Sequence, residues 1–344
     1  MAERPSFPLY TAGMMGCRPE RQANSESNIR SPLAVLVGPT AAGKSSLALA
    51  LAESVGGEII AADSMQVYRS LDIGTAKPTA DERRRVPHHL LDLVDPDQPF
   101  TAADYAAHAL STIAEIRRRG RLPIMVGGTG LYVRAVLRGL FEGPGEASCI
   151  REALRREAAS EGPQVLHRRL AALDPETAAA IHPNDLFRII RALEVWAIKG
   201  RPISLLRAEG RGNRHRVPGP VLLFGLARAR EELYSRIEAR VEDMLALGFV
   251  DEVRALLDRG YAPELKPLRA IGYRHIISYL KGQVTLGRAV ASLKRDTRRY
   301  AKRQLTWFRH EEDIVWLGTE GPIVHEALLP LLLARIEVAW ASTL

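Results

Sequence analysis

The stretch LAVLVGPTAAGKS, residues 33–45, decides the fold. Its first five residues are apolar, which predicts a buried strand, and a helical pattern follows over Ser45–Ser54. Between them lies G-x-x-x-x-G-K-[ST], whose glycines let backbone N–H groups turn toward a phosphate chain at the positive end of a helix. Lys44 adds a mobile positive charge, and Ser45 adds a hydroxyl that can bind Mg²⁺. The predicted phosphate-binding loop, or P-loop, consists of Gly38, Pro39, Thr40, Ala41, Ala42, Gly43, Lys44 and Ser45.

Strand and helix patterns alternate in the rest of the chain. Strand candidates are Glu58–Ala62, Leu122–Val126, Val221–Phe224 and Ile314–Leu317, and a helical run begins at Leu131. Such alternation is typical of parallel βαβ units. We therefore predict an α/β fold with a P-loop-containing nucleoside triphosphate hydrolase-like core and a parallel sheet. Residues 31–140 and 217–320 would form this core.

Residues 141–216 have a different character. Ile150–Leu173 and Asp185–Lys199 are Ala-, Arg- and Leu-rich helical patterns with no strand candidate, and polar Glu209–Arg216 resembles an exit loop. They predict a small all-helical insertion domain. Residues 1–30 lack periodicity and an apolar signal region, so we expect a disordered extension there. Residues 321–344, with the apolar stretch Ala327–Ala334, predict a C-terminal helix.

Composition narrows the class of protein. Of 344 residues, 46% are hydrophobic and 26% are charged, which is ordinary for a globular protein and excludes a fully disordered chain. No apolar run approaches the length of a membrane span. The two cysteines, Cys17 and Cys149, cannot form a disulfide scaffold. We expect a cytoplasmic protein that does not bind membranes, and a monomer because no dimer seam is visible.

Positive charge is concentrated in one segment. The formal net charge is +8, and the segment from Arg288 to Arg309 has eight bases against one acid, Asp296, an excess of +7. A solvated helix face would explain this segment, and so would a surface for a polyanion. Several of the bases share one helical face, namely Arg295, Arg298, Arg299 and Lys302.

Two further residues are candidates for chemistry. Asp63 follows a predicted strand, at the edge where parallel sheets place their ligands. Thr129 lies among Gly127, Gly128 and Gly130, which allow close backbone approach. Either residue could instead cap a helix. A phosphoryl-transfer enzyme usually ends a neighbouring strand with a Mg²⁺-binding acid, and the Gly-Gly-Thr-Gly run weakens that interpretation without excluding kinases.

Seven motifs occur in a characteristic order over residues 33–318. They are GPTAAGKS (38–45), ADSMQVYRSLDIGTAKP (62–78), VGGTGLY (126–132), RALEV (191–195), RIEAR (236–240), RAIGYR (269–274) and KRQLTWFR (302–309). On these motifs the chain resembles the tRNA dimethylallyltransferase (isopentenylpyrophosphate transferase) family. The family's longer eukaryotic members add a zinc finger that is not found here, so the resemblance is to the bacterial type.

The resemblance implies transfer of a dimethylallyl group from dimethylallyl diphosphate to N6 of the adenosine immediately 3′ of the anticodon, in tRNAs reading codons that begin with U. The P-loop would hold the diphosphate and Mg²⁺, with Arg236 and Arg240 clamping the departing diphosphate. Asp63 would be the general base and Thr129 would lie at the reacting amine. The predicted tRNA contacts are Asp63, Ser64, Met65, Gln66, Arg188, Arg191, Arg274, Arg298, Arg299, Lys302 and Arg303.

Two departures from the family pattern are visible. Leu186-Phe187 stands where the family usually has Pro-Gln, and Ser45 replaces the commoner threonine. The insertion domain would bind the anticodon loop, and Trp307 and Phe308 would offer stacking surfaces. Alternatives are a P-loop small-molecule or nucleoside kinase, an adenylate isopentenyltransferase acting on free AMP, and a non-enzymatic RNA-binding module.

Overall fold

Six strands in the described part of the chain form one parallel sheet. The computed structural model describes residues 31–140, 148–210, 217–318 and 325–342, so the predicted extension 1–30 lies outside it. The strands are β1 (Leu33–Val37), β2 (Glu58–Ala61), β3 (His88–His89), β4 (Pro123–Gly127), β5 (Val221–Leu226) and β6 (Val315–Leu317), in the order β3-β2-β4-β1-β5-β6. Every pairing is parallel, which confirms the predicted α/β class.

Helices connect and cover the strands. Those of the core are α1 (Lys44–Val55), α2 (Ala80–Arg85), α3 (Ala102–Arg118) and α4 (Gly130–Arg138). Those of the insertion are α5 (Ser148–Glu161), α6 (Pro163–Leu173), α7 (Pro175–Ala180), α8 (Leu186–Lys199) and α9 (Ile203–Gly210). The remaining helices are α10 (Arg230–Ala246), α11 (Phe249–Asp258), α12 (Tyr273–Leu280), α13 (Leu286–Arg309) and α14 (His325–Ala341). Among these described helices, none has the length and apolar character that crossing a membrane requires.

Alternating residues of β1 enter two different hydrophobic layers. Leu33, Val35 and Val37 pack in the layer formed with helices α3, α4 and α11–α13. Ala34 and Leu36 pack in the opposite layer, with apolar residues of α1 and α14. This follows from the two-residue period of a strand. The central strand is therefore buried on both faces and fixes the start of the P-loop rigidly.

The insertion helices have a hydrophobic core of their own. Leu166, Leu170 and Ile189 are at its centre and are completely or almost completely buried. The helical character of the insertion agrees with the sequence pattern, while its anticodon-loop role stays a prediction. The exit loop was predicted for Glu209–Arg216, but Glu209 and Gly210 still belong to α9, and residues 211–216 lie outside the described ranges.

Candidate active site

The P-loop has the backbone geometry of an anion cradle. Gly38, Ala41 and Gly43 have φ angles of +139°, +63° and +95°, so successive peptide groups change direction and can point N–H groups to one side. A Cβ on Gly38 would lie 2.4 Å from the carbonyl oxygen of Leu226, so this close approach requires glycine. The loop leads into the N-terminus of α1, where the first N–H groups have no intrahelical partner.

Four cationic side chains hold the loop through its own oxygen atoms. They are Lys44 Nζ to Pro39 O at 2.6 Å, Arg236 Nε to Ala41 O at 2.9 Å, Arg228 Nε to Ala42 O at 2.8 Å and Arg240 Nη1 to Thr40 Oγ1 at 3.1 Å. Because these oxygens are already bonded, a ligand would meet the loop through its N–H groups, apart from those of Thr40 and Ala42, which bond within the protein. The sequence analysis missed Arg228, which follows β5 and belongs to no recognised motif.

The cradle is strongly electropositive. Burial lowers the pKa of Lys44 to about 7, with nearby Arg240 acting in the same direction and Asp63 opposing. Burial also lowers the pKa of Arg240, again against the influence of Asp63. Arg240 therefore destabilises the charge on Lys44, and a diphosphate beside the two cations would relieve this repulsion.

Asp63 and Thr129 lie on adjacent turns at the same sheet edge. Asp63 follows β2 and Thr129 follows β4, its neighbour in the sheet. Thr129 is the N-cap residue of α4 by position, but its Oγ1 accepts the Ser64 N–H at 3.1 Å and makes no capping bond, so its side chain does not cap the helix. Asp63 Oδ1 accepts the Met65 N–H at 2.8 Å, and the next helix begins only at Ala80, so Asp63 caps no helix either.

Three tyrosines surround this acid. The rings of Tyr105 and Tyr132 stack with centroids 4.0 Å apart, and the Tyr105 hydroxyl donates to Ala61 O at 3.0 Å. Burial, reinforced by the charge of Asp63, raises the pKa values of Tyr105, Tyr132 and Tyr300, so all three stay protonated. Within the described part of the chain, no ion pair engages the Asp63 carboxylate. The carboxylate is thus available to accept a proton.

The segment that follows Asp63 is braced by a residue far along the chain. Glu252 of α11 accepts the backbone N–H groups of Asp72 at 2.9 Å, Ile73 at 2.6 Å and Gly74 at 3.1 Å. Its carboxylate also accepts the Tyr273 hydroxyl at 2.6 Å. The sequence analysis missed this carboxylate, because three of its four partners are backbone groups.

Gln66 and Lys77 complete the frame of this segment. Gln66 Nε2 donates to the carbonyl oxygens of Thr75 and Ala76, at 3.1 and 3.2 Å. The buried Lys77 donates to Tyr68 O at 2.6 Å and forms ion pairs with Asp72 and Asp92. Much of the 62–78 motif is therefore structural, and Gln66 in particular has a partner inside the segment itself.

The predicted basic surface on α13 is partly neutralised within the chain. Arg298 pairs with Glu238 of α10 at 2.5 Å, and Arg274 of α12 pairs with Asp296 at 2.6 Å. Burial alone would raise the pKa of Asp296, but hydrogen bonds from Arg274, His275 and Arg295 lower it to about 2. Among the predicted RNA contacts on α13, Arg299, Lys302 and Arg303 are exposed, and the Arg299 side chain is 67% exposed although it lies 3.7 Å from Asp296. They form what we call the open basic face.

The two arginines predicted in the insertion differ in environment. Arg188 is 61% exposed beside Asp185, whereas Arg191 pairs at 2.6 Å with the fully buried Glu194. Arg151 also pairs with Glu194, so Arg191 belongs to a network that stabilises the insertion core. Contact of either arginine with RNA stays a prediction.

The predicted stacking role of Phe308 is wrong. Phe308 is 1% exposed and packs in the main hydrophobic layer. Trp307 is only half-buried, but it packs against the same layer and lies under the Arg134 guanidinium, 4.4 Å from its ring centre. The spacing of Ala301, Gln304 and Phe308 on one face of α13 was the sequence signal that could have identified this residue as core.

The donor set fits a Mg²⁺ ion held mainly by its ligand. Ser45 is exposed at the start of α1, next to the cradle. Among the described residues, no three His, Cys, Asp or Glu side chains gather as a protein-only metal site. Mg²⁺ often takes one or two protein ligands plus phosphate oxygens and water, so a single hydroxyl beside a diphosphate cradle suits it.

The fold and this site define a P-loop protein with a threonine one strand beyond its anion cradle and a carboxylate two strands beyond it. The model of the IPP transferase family matches residues 66–311. The tRNA dimethylallyltransferase 1 of Citrifermentans bemidjiense is 55% identical over 288 residues, which are 83% of this chain and 92% of the relative. The tRNA dimethylallyltransferase of Geobacter metallireducens is 52% identical over 85% of this chain and 94% of its own.

Solved structures agree with the sequence relatives. The tRNA isopentenylpyrophosphate transferase from Bacillus halodurans is 41% identical, covers 91% of this chain and 98% of its own, and has a TM-score of 0.67. A eukaryotic dimethylallyltransferase described as acting on tRNA is 29% identical with a TM-score of 0.71, over 84% of this chain and 74% of its own. The chain belongs to the IPP transferase family.

Proposed function

We propose that this protein is a tRNA dimethylallyltransferase. It moves the dimethylallyl group of dimethylallyl diphosphate to N6 of the adenosine immediately 3′ of the anticodon, in tRNAs reading codons that begin with U, and releases diphosphate. The observation that carries the proposal is that one sheet edge holds both a diphosphate cradle and an unpaired carboxylate beside Thr129. The relatives named above support the same reaction.

The acceptor amine is the first chemical problem. The lone pair of an adenine N6 amine is delocalised into the ring, so removal of its proton as the C–N bond forms is useful. In our proposal Asp63 takes that proton, because no cation in the described part of the chain forms a direct ion pair with its carboxylate. Thr129 already fixes the backbone beside Asp63 through Ser64 and would orient the amine.

The leaving group is the second chemical problem. Negative charge grows on the diphosphate as the C–O bond breaks, and fixed donors around it lower the barrier. Lys44 and the N–H groups of the P-loop would bind this charge. Arg236 uses Nε for Ala41 O, and no described residue occupies its two terminal nitrogens, so they are free to reach the diphosphate. A Mg²⁺ ion held by Ser45 would add positive charge at the same oxygens.

The acceptor base must leave its stack to reach Asp63. A base inside an anticodon loop is inaccessible until it is flipped into a pocket. We propose that the segment 63–66 contacts this base and that the open basic face binds RNA phosphates. A cytoplasmic, monomeric enzyme is part of the same proposal.

Transfer of radiolabel from dimethylallyl diphosphate, with Mg²⁺, tests this function. The acceptor is an unmodified tRNA with adenosines at the 3′ end of the anticodon and after it, and parallel reactions use AMP as acceptor and ATP as donor. We expect label in the tRNA alone. Label in AMP would identify an adenylate isopentenyltransferase, and phosphate transfer from ATP without prenyl transfer would identify a kinase.

A further inference from the structure

Gln304 joins two loops of the site that are far apart in sequence. Its side chain is 6% exposed and projects from α13 between the P-loop and the turn after β4. Gln304 Oε1 accepts the backbone N–H of Thr40 at 2.8 Å, and Nε2 donates to the carbonyl oxygen of Gly128 at 2.9 Å. One amide thus bonds to both loops at once.

Both partners are backbone groups of fixed polarity, and this selects the side chain. An amide has an acceptor and a donor on the same planar group, whereas a carboxylate has only acceptors and a thioether has no donor. The turn makes room for it, because a Cβ on Gly128 would lie 2.1 Å from Gln304 Nε2. The close approach of Gly128 is therefore matched to this glutamine.

The two bonds lie next to the groups that would act on substrate. Thr40 also receives Arg240 on its hydroxyl, and Gly128 immediately precedes Thr129, which fixes Ser64 beside Asp63. A shift of Gln304 would change the separation between the diphosphate cradle and the acid. We propose that Gln304 is a positioning residue that holds the P-loop and the Thr129 turn in register for transfer. The effect on prenyl transfer rests on the proposed function, whereas the effect on the geometry of the two loops does not.

Two variants and one control test the role. Gln304→Met keeps the length of the side chain and removes both bonds, whereas Gln304→Glu keeps the acceptor for Thr40 and places a second acceptor against Gly128. The control is Thr306→Val on the same helix, because the one partner of its exposed hydroxyl among the described residues is Lys302 O, at 3.0 Å. Thermal unfolding of each variant measures how much of the protein is folded.

We expect Gln304→Met to lose about 10²-fold in kcat, because a misplacement of about 1 Å can cost that much. KM for tRNA should stay within about twofold of wild type, because the open basic face is untouched. Gln304→Glu should also lose turnover, and Thr306→Val should match wild type. Hydrogen exchange should quicken in residues 38–44 and 127–130 of Gln304→Met, and not in Thr306→Val.

Wild-type kcat in both Gln304 variants would overturn the proposal, and so would a decrease that only follows the unfolded fraction. Binding of inorganic diphosphate with Mg²⁺ provides a measurement independent of prenyl transfer. A weaker Kd in folded Gln304→Met, with quicker exchange, would support the positioning role even if wild type transferred no prenyl group. An unchanged Kd and unchanged exchange would refute it.

Discussion

Binding of diphosphate should take up a proton at Lys44. Burial and the neighbouring Arg240 lower the pKa of this ammonium from 10.5 to about 7. A bound diphosphate brings negative charge to the same point and must raise that pKa again. At pH 8 a group with pKa 7 is about one-tenth protonated, so complex formation should take up about 0.9 proton at Lys44.

The affinity for diphosphate should depend on pH through this proton. Below pH 7, Lys44 is already protonated and contributes no dependence. From about pH 7 up to the pKa of the complex, the free protein must first gain a proton, so affinity for diphosphate should fall as pH rises, by nearly tenfold per unit. Calorimetric titration with inorganic diphosphate and Mg²⁺ at pH 8, in two buffers of different ionisation enthalpy, measures the protons directly.

The control for this experiment is Lys44→Arg. A guanidinium stays charged throughout this range, so the variant reports only the protons that the ligand and other groups exchange. Wild type should take up about 0.9 proton more than the variant. Equal proton uptake by the two proteins would refute the reasoning, since it would mean that Lys44 is fully protonated before the ligand arrives.

Three further sets of substitutions test the general base, the RNA-binding face and the bracing of the 72–74 backbone separately. Asp63→Asn should lower kcat by about 10²-fold or more with the Kd for tRNA unchanged, and near-normal turnover would remove the base role. Replacing Arg299 and Lys302 by Gln should reduce the slope of the logarithm of the tRNA association constant against the logarithm of salt concentration by about 1.5. An unchanged slope would mean that these bases only face solvent and do not contact RNA. Glu252→Gln should lower the free energy of unfolding in urea by about 1–3 kcal/mol, because an amide N–H₂ meets backbone donors, and an unchanged midpoint would contradict that account.

The sequence predicted the parts of the site whose signal is local. The P-loop is one run of consecutive residues, and Asp63 follows directly on a strand. Because the carboxyl ends of parallel strands lie at one edge of the sheet, a parallel sheet alone predicts that the P-loop and Asp63 share that edge. Five of the six described strands were predicted for the same reason, since apolar period and length are properties of neighbouring residues, whereas the two-residue strand β3 has no such pattern and was missed.

The residues that support the site could not be predicted in this way. Arg228, Glu252 and Gln304 bond to backbone groups more than 170 positions away in the chain. Backbone N–H and C=O groups are alike at every residue, so nothing in the sequence marks which ones a side chain will meet. The stacking role predicted for Phe308 is wrong because the helical period, and not the motif to which Phe308 belongs, decides which side chains of α13 are buried.

The strand order gives a physical reason to prefer alkyl transfer over phosphoryl transfer. At the end of β4, a Cβ on Gly127 would lie 2.0 Å from Ala62 O and one on Gly128 would meet Gln304, so no carboxylate fits where phosphoryl-transfer enzymes place their Mg²⁺-binding acid. The acid stands instead after β2, two strand spacings or about 9.5 Å from the line of β1. An acceptor held by Asp63 would thus stand two strands away from the P-loop, with the Thr129 turn between them. A short alkyl chain extending from the diphosphate would bring its reacting carbon into that space, so the ATP reaction should yield no transfer.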